Sequence, residues 1–314
     1  MRFTIHCGNH GNSPGIADTV LLLKHALHDC GHQAAISHRI EPGQINIVLE
    51  HFVDEPSLRA LLEGHAAGAR YVLIGTEPIN GGTFNGDIDA NDRHYSNHVY
   101  WKLRFDAFKI AASHAQAIWV LAEPMVHAYA ELFPRVPVRY LPHGYVNDFA
   151  TVRQRPECER DIDFYFSGSL TQHRKRILAT LARDHVVICN SQATPEYLRQ
   201  DQLSRSKVCL SLRLSPANRI ASVSRMHFHL QNRSFLLHEA SDLPSPLDPF
   251  VLSASPDDVI VWAEAALQLT NRRAIADDAH ERFKAALPMA TLLPPLLEEL
   301  LPRTACGTAA PQAA

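Results

Sequence analysis

The chain lacks the features that mark a disulfide framework, a structural zinc site or a membrane span. Its six cysteines are scattered over 314 residues and form no C-x-x-C pair, so we expect buried free thiols in a reducing compartment. No apolar run approaches the roughly 20 residues that cross a bilayer. The N-terminal sequence MRFTIHCGNHG has no charged-then-apolar signal pattern. The sequence therefore predicts a cytoplasmic protein without a transmembrane segment.

An excess of charge of one sign is also missing. The formal net charge of −3 argues against a general nucleic-acid or membrane-surface binder. Lysine is scarce, with six lysines against 24 arginines. Arginine suits bidentate contacts with phosphate, although such a bias is also typical of genomic base composition. The charge therefore predicts no nucleic-acid partner and leaves phosphate recognition open.

What the chain does contain is a repeated alternation of short apolar strands and amphipathic helices. In the first half, the apolar runs lie at residues 2–6, 34–37, 45–49, 70–74, 117–121 and 138–141. Most of the segments between them show the spacing of helices that bury one face. Such alternation predicts a parallel sheet covered by helices on both faces.

The same pattern stops in a polar stretch and then restarts. New apolar strands are predicted at residues 163–166, 186–189, 208–212 and 235–237. The sequence therefore predicts an α/β protein of two Rossmann-like domains. We expect these domains at residues 1–145 and 161–302, with an exposed linker at 146–160 and a disordered tail at 303–314.

The strongest local signal is the stretch DIDFYFSGSLTQHRKRILATL, which opens the second half. It combines an apolar strand, a turn at Ser167, Gly168 and Ser169, and a helix with basic residues in its first turn. A small-residue turn before a helix N-terminus lets the backbone approach an anion. Cations such as Arg174 are disfavoured there by the helix dipole unless an anionic ligand is bound. A solvated basic face is the alternative interpretation.

A second segment, SRMHFHLQNRSFLLHE, completes a recognisable order of motifs. The residues that carry the order are Asp161, Asp163, Phe166, Gly168, Ser169, Arg174, Arg176, Arg225, Leu230, Asn232, Phe235 and Glu239. This arrangement resembles glycosyltransferases of the GT-B fold, in particular the CgeB-like and group 1-type bacterial proteins. The resemblance covers residues 160–290 well and the first half only in outline.

The resemblance implies a nucleotide-sugar donor held by the second half. Ser167, Gly168 and Ser169 then border the diphosphate and Arg174 and Arg225 neutralise it. Glu239 is expected at the end of a strand that faces the donor.

Two positions depart from the family pattern. Arg233 stands where the family often has Gly, at a position where a positive φ is expected. Phe228 stands where many retaining members carry a Glu that binds the donor ribose.

The first half offers candidates for a general base. The turn HCGNHGNSPG resembles the G-H-x-x-P turn of inverting GT-B enzymes, which makes His10 a candidate. Glu77 follows the strand YVLIG and is the second candidate, and Glu123, which follows AIWVL, is a third. A surface histidine and helix-start carboxylates are the alternative interpretations. We predict His10 and Glu77 as the catalytic residues.

A long polar loop at residues 80–98 is expected to bind the acceptor. Its carboxylates Asp87, Asp89 and Asp92 resemble a metal motif, but a loop of the first half is the wrong place for it, so no metal site is predicted. His143 and Gly144 occupy the position of the hinge between the halves.

The predicted reaction is transfer of a sugar from a nucleotide diphosphate donor to an acceptor hydroxyl of a glycan, a lipid-linked glycan or a protein. Arginine charges and helix dipoles would stabilise the leaving diphosphate without an obligatory metal or other cofactor. Two alternatives stay open. One is a nucleotide-sugar 2-epimerase, and the other is a non-catalytic GT-B protein that binds a nucleotide or glycan.

Overall fold

The computed structural model describes residues 1–11, 14–86, 95–191 and 193–300. The three aspartates of the polar loop and the predicted tail at 303–314 lie outside these ranges. Among the described residues no helix has the length and apolarity that a bilayer crossing requires.

The first half is built on a six-stranded parallel sheet in the order β2-β1-β3-β4-β7-β8. The strands of this sheet are β1 Arg2–His6, β2 Gln33–Ser37, β3 Ile45–Leu49, β4 Arg70–Gly75, β7 Ala117–Val120 and β8 Val138–Tyr140. Two more strands, β5 Ile79–Asn80 and β6 Thr83–Phe84, form a separate antiparallel hairpin. Four helices cover the six-stranded sheet: α1 Ala17–Asp29, α2 Glu55–Ala66, α3 His98–Ala112 and α4 Val126–Leu132. Every residue of β3 is buried, as expected for a central strand of a parallel sheet.

The second half is built on a five-stranded parallel sheet in the order β10-β9-β11-β12-β13. Its strands are β9 Ile162–Ser167, β10 Val187–Asn190, β11 Ser206–Ser211, β12 Leu236–Glu239 and β13 Leu252–Ala254. The helices that follow are α5 Gln172–Leu181, α6 Glu196–Ser204, α7 Val223–Gln231, α8 Val259–Gln268, α9 Arg272–Ala286, α10 Met289–Leu292 and α11 Pro294–Glu298. The predicted α/β class with two parallel sheets is confirmed. β13, α10 and α11 are additional to the sequence prediction.

The two halves share one hydrophobic cluster where the chain crosses between them. This cluster runs from α1 through α7 to α9, α10 and α11. At the crossing, the amide of Tyr145 donates to the Leu287 carbonyl at 2.7 Å and the Met289 amide donates to the Tyr145 carbonyl at 2.8 Å. Gly144 is needed here because a Cβ atom would lie 2.2 Å from the Leu287 oxygen. The last helices thus return to the first half, although the sequence grouped them with the second.

The segment 146–160 is docked on the second half. Val146, Phe149 and Val152 are buried. The side-chain oxygen of Asn232 accepts from the amides of Thr151 and Val152 at 2.8 and 2.9 Å. This segment is therefore held by packing and hydrogen bonds along part of its length, whereas the sequence predicted an exposed linker.

Candidate active site

A cleft with a cavity volume of about 250 Å³ lies between the two halves. The turns after strands of both sheets line it, with Glu77 after β4, Gly168 after β9 and His238 near the end of β12. Ligands of open α/β sheets bind beyond the carboxyl ends of the strands, where helix N-termini expose their N–H groups. The cleft is therefore the candidate active site.

The turn after β9 brings backbone and side-chain groups into this cleft. Gly168 has a φ of +138°, a conformation that only glycine adopts readily. A Cβ atom there would lie 2.6 Å from a terminal nitrogen of Arg225. Thr171 precedes α5, and its hydroxyl accepts from the amide of Arg174. The turn is thus shaped so that Arg225 can pack directly against its backbone.

Three arginines line the cleft, Arg174, Arg213 and Arg225, and of these Arg213 is paired with Asp242 at 3.1 Å. Arg225 Nε donates to the Ser167 carbonyl at 2.9 Å, and Arg174 donates to the carbonyls of Ser169 and Leu212 at 2.9 Å each. Both guanidinium groups lie over the Phe166 ring, 5.2 and 5.1 Å from its centroid. Burial and the nearby positive charge of Arg174 lower the pKa of Arg225 to about 9. An anion in the cleft would offset both effects on Arg225.

Glu239 is placed differently from the other predicted donor residues. Its side chain is fully buried, with Oε1 2.7 Å from His173 Nε2 and Oε2 accepting from the Arg213 amide at 2.8 Å. It is not among the described residues that line the cleft, whereas the preceding residue, His238, is. Side chains alternate along a strand, so consecutive residues face opposite sides of the sheet. Glu239 holds α5 and the segment after β11 in place.

On the opposite wall, Glu77 belongs to a charged cluster. Arg104 of α3 contacts Glu50 through two nitrogens, each at 2.6 Å from a carboxylate oxygen. A terminal nitrogen of Arg104 also lies 3.0 Å from Glu77 Oε1. The side-chain nitrogen of Asn85 donates to Glu77 Oε2 at 2.9 Å. Glu50 is fully buried but Glu77 retains 22% of its side-chain exposure, so Glu77 is a positioned carboxylate at the cleft.

Neither His10 nor Glu123 is among the described residues that line the cleft. His10 stacks on His51, with 4.6 Å between ring centroids. Burial lowers the pKa of His10 to about 3, helped by the charges of His51 and Arg104. The ring is therefore neutral near pH 7. Glu123 is exposed in the turn that precedes α4.

A second cavity of about 210 Å³ adjoins the turn after β9 and shares Gly168 and Arg225 with the cleft. Asp18 of α1 and Arg199 of α6 form an ion pair across the two halves at its wall, at 2.8 Å. The Arg199 guanidinium lies 3.9 Å from the centroid of the Phe228 ring. Phe228 thus forms part of the wall of this cavity. The pairing of Asp18 with Arg199 has no local signal in the sequence.

Arg233 has a φ of +53°, which confirms the positive φ expected at that position. Within the described ranges, no group of three or more His, Cys, Asp or Glu side chains is arranged to hold a metal ion.

Two facing parallel sheets with a cleft at the ends of their strands define the GT-B fold. No known family model and no curated protein sequence matches the chain. Solved structures do match. The structure of T4 phage BGT in complex with UDP and Mn²⁺ aligns with a TM-score of 0.59 at 12% identity, over 96% of this chain and 99% of that one.

Two other solved structures have similar scores. AviGT4, a glycosyltransferase involved in avilamycin A biosynthesis, has a TM-score of 0.52 at 10% identity over 95% and 96% of the two chains. TarM has a TM-score of 0.51 at 12% identity over 82% of this chain, which spans about 55% of the length of TarM. At these identities the likeness establishes the GT-B fold.

Proposed function

We propose that this chain is a glycosyltransferase that moves a sugar from a nucleotide diphosphate donor to an acceptor hydroxyl. Residues 161–302 would bind the donor and residues 1–145 the acceptor, within the CgeB-like or group 1-type group of the fold. The acceptor would be a glycan, a lipid-linked glycan or a protein, and the reaction would take place in the cytoplasm. UDP and Mn²⁺ in the T4 phage BGT structure are compatible with such a donor but belong to that protein.

The observation that carries the proposal is the pair Arg174 and Arg225 at the Gly168 turn. Both guanidinium groups belong to the cleft wall and lie over the Phe166 ring, and Arg225 is in the first turn of α7, which begins at Val223. Positive side chains and a helix N-terminus together favour a multiply charged anion such as a diphosphate. In transfer they would stabilise the negative charge that builds up on the leaving diphosphate. We infer that this stabilisation does not require a metal ion.

The acceptor hydroxyl needs a base in the transition state. Glu77 is the candidate that the cleft geometry favours, because it lines the cleft and its two oxygens are fixed by Arg104 and Asn85. His10 remains a prediction from the sequence, with a ring that stays neutral and lies outside the cleft lining.

The first experiment tests the anion site. We expect Arg225→Ala to weaken binding of the nucleoside diphosphate that the wild type prefers by about 1.5–3 kcal/mol, the range for a charge-assisted hydrogen bond. Calorimetry with uridine, guanosine and adenosine diphosphates, repeated in EDTA and with Mn²⁺, measures this loss and any need for metal. Arg273→Ala is the control, because Arg273 is paired with Asp277 on the exposed face of α9. Unchanged affinity in a folded Arg225→Ala variant contradicts the placement.

The second experiment tests the base. We expect Glu77→Gln to lower kcat by about 10²–10⁴-fold while donor affinity stays nearly constant. Release of labelled nucleotide over a panel of acceptors measures kcat, and Glu123→Gln is the matched control for an exposed carboxylate after a strand. Near-normal turnover of Glu77→Gln together with loss of turnover in His10→Ala would assign the role to His10. Donor binding without turnover in the wild type would favour a binding protein, and a free epimerised nucleotide sugar would favour an epimerase.

A further inference from the structure

Two polar atoms at the end of β12 point to a ligand group that the phosphate site does not explain. His238 and Ser241 line the cleft together with Arg174 and Arg225. His238 is only 2% exposed. Within the part of the chain that the structure describes, neither His238 Nε2 nor Ser241 Oγ has a hydrogen-bond partner, although both atoms are buried. Buried polar atoms are nearly always hydrogen-bonded, so an orphaned pair at a cavity wall is typical of a ligand contact.

The other ring nitrogen determines what His238 Nε2 can do. His238 Nδ1 lies 3.3 Å from the carbonyl oxygen of Ser211, which can only accept a hydrogen bond, so Nδ1 carries the proton. Burial lowers the pKa of His238, which keeps the ring neutral. His238 Nε2 therefore presents a lone pair to the cleft, and the group that fills this position must donate a hydrogen bond.

This requirement excludes most of the groups that the neighbouring arginines attract. A phosphate or carboxylate oxygen that is ionised has no proton to donate, so its lone pairs would face that of His238 Nε2. An alcohol hydroxyl has a proton and also accepts a hydrogen bond, which suits both His238 and Ser241. In a nucleotide sugar, hydroxyls are carried by the ribose and by the transferred sugar, on either side of the diphosphate. Of these two we assign the transferred sugar, because the cleft that His238 and Ser241 line also contains Glu77 of the first half, the proposed base.

We propose that His238 and Ser241 form the sugar-binding wall of the donor site. His238 Nε2 accepts a hydrogen bond from one hydroxyl of the sugar, and Ser241 Oγ binds a neighbouring oxygen. This inference rests on the proposed function and adds to it the class of sugar, one with a free hydroxyl at this wall. His238 and Ser241 are thus specificity-determining residues, separate from the arginines that bind the diphosphate.

The test compares sugars that differ only in one hydrogen-bond donor. UDP, UDP-glucose, UDP-galactose, UDP-N-acetylglucosamine and GDP-mannose are first compared by calorimetry, followed by the single deoxyfluoro analogues of the sugar that binds most tightly. Fluorine replaces a hydroxyl but cannot donate. We expect one analogue to bind the wild type about 5- to 20-fold more weakly than its parent. His238→Leu should bind that analogue and its parent equally, and it should bind the free diphosphate like the wild type.

Two further variants keep the test decisive if His238→Leu fails to fold. His238→Gln restores an acceptor and should recover part of the discrimination. Ser241→Ala should weaken binding of the sugar nucleotide and leave binding of the free diphosphate unchanged. Ser253→Ala, on the exposed side of β13, should change neither affinity. The inference is overturned if the variants lose affinity equally for the sugar nucleotide and for the free diphosphate. It is also overturned if the weaker binding of the deoxyfluoro analogue persists unchanged in both His238→Leu and His238→Gln. Absence of any nucleotide binding to the wild type overturns the proposed function itself.

Discussion

Gly168 adopts a φ of +138° at the end of β9, where a Cβ atom would lie 2.6 Å from a terminal nitrogen of Arg225. The contact atom is at the end of a flexible side chain, so Arg225 can move, but it must then leave its position against the turn. The conformation itself also disfavours any residue with a Cβ atom. A single methyl group at this position therefore acts on the anion site as well as on the backbone.

We expect Gly168→Ala to weaken nucleoside diphosphate binding by about tenfold or more, with a loss of folding stability of about 1–2 kcal/mol. Calorimetry and urea unfolding measure the two effects. Gly43→Ala is the matched control, because Gly43 also has a positive φ, +75°, but no atom within 4 Å of its Cβ position. If both variants lose stability equally and neither loses affinity, Gly168 serves the backbone alone.

At the scale of elements, α7 connects the site with the junction of the two halves. Arg225 in its first turn donates to the Ser167 carbonyl in the turn after β9. His227 Nε2 lies 3.0 Å from the Gly144 carbonyl, and Asn232, directly after the helix, binds the segment 146–160. One short helix thus fixes the position of Arg225 relative to the crossing between the halves. Displacement of α7 is expected to alter ligand binding and the docked segment together.

We expect Asn232→Ala to expose the segment 146–160 to protease, because the amides of Thr151 and Val152 lose their acceptor. Limited trypsin digestion with mass analysis should show faster cleavage after Arg153 than in the wild type. Asn147→Ala is the control, because Asn147 binds Asp29 and leaves those amides bonded. Rapid cleavage of the wild type in this segment would show that its docking is weak in solution.

At the scale of the whole molecule, buried histidines cluster near the shared core of the two halves. Burial lowers the pKa of His143 to about 4 and that of His227 to about 3, the latter with help from the charge of His143. Burial, with the charges of Arg199 and Arg225, also lowers the pKa of His229 to about 3. All three rings are neutral in the folded protein near pH 7 and accept protons more readily once the chain is unfolded.

We expect the free energy of unfolding to be greatest above pH 6.5 and to fall as the pH is lowered toward 4, because the unfolded state then binds the extra protons. Each of these histidines contributes roughly 1–2 kcal/mol to the loss at pH 5. Urea unfolding at pH 7 and pH 5 measures this loss, which His227→Gln should reduce because glutamine can still donate to Gly144. His127→Gln is the control, since His127 is exposed on α4. The same acid sensitivity in His227→Gln would assign the effect to other groups.

Much of the fold followed from local pattern. The alternation of apolar strands and amphipathic helices predicted both parallel sheets, and the turn of small residues predicted that Gly168 would lie after a strand and before a helix. The positive φ at Arg233 was expected from the resemblance to the family, which often has Gly at that position. These features arise from residues close together in the chain, where steric preference and hydrogen-bond geometry act without help from the rest of the molecule.

The tertiary structure decided the features that depend on strand orientation and long-range packing. Glu239 is buried and paired with His173, whereas His238 lines the cleft. The two differ because a shift of one residue along a strand reverses the face that a side chain occupies. Asp18 and Arg199 form an ion pair only because α1 and α6 come together across the two halves. The sequence by itself therefore determined the class of fold and the place of the turn at Gly168 between a strand and a helix. Which side chains surround that turn was decided by contacts between residues far apart in the chain, such as Ser167 and Arg225, 58 positions apart, for which no local preference exists.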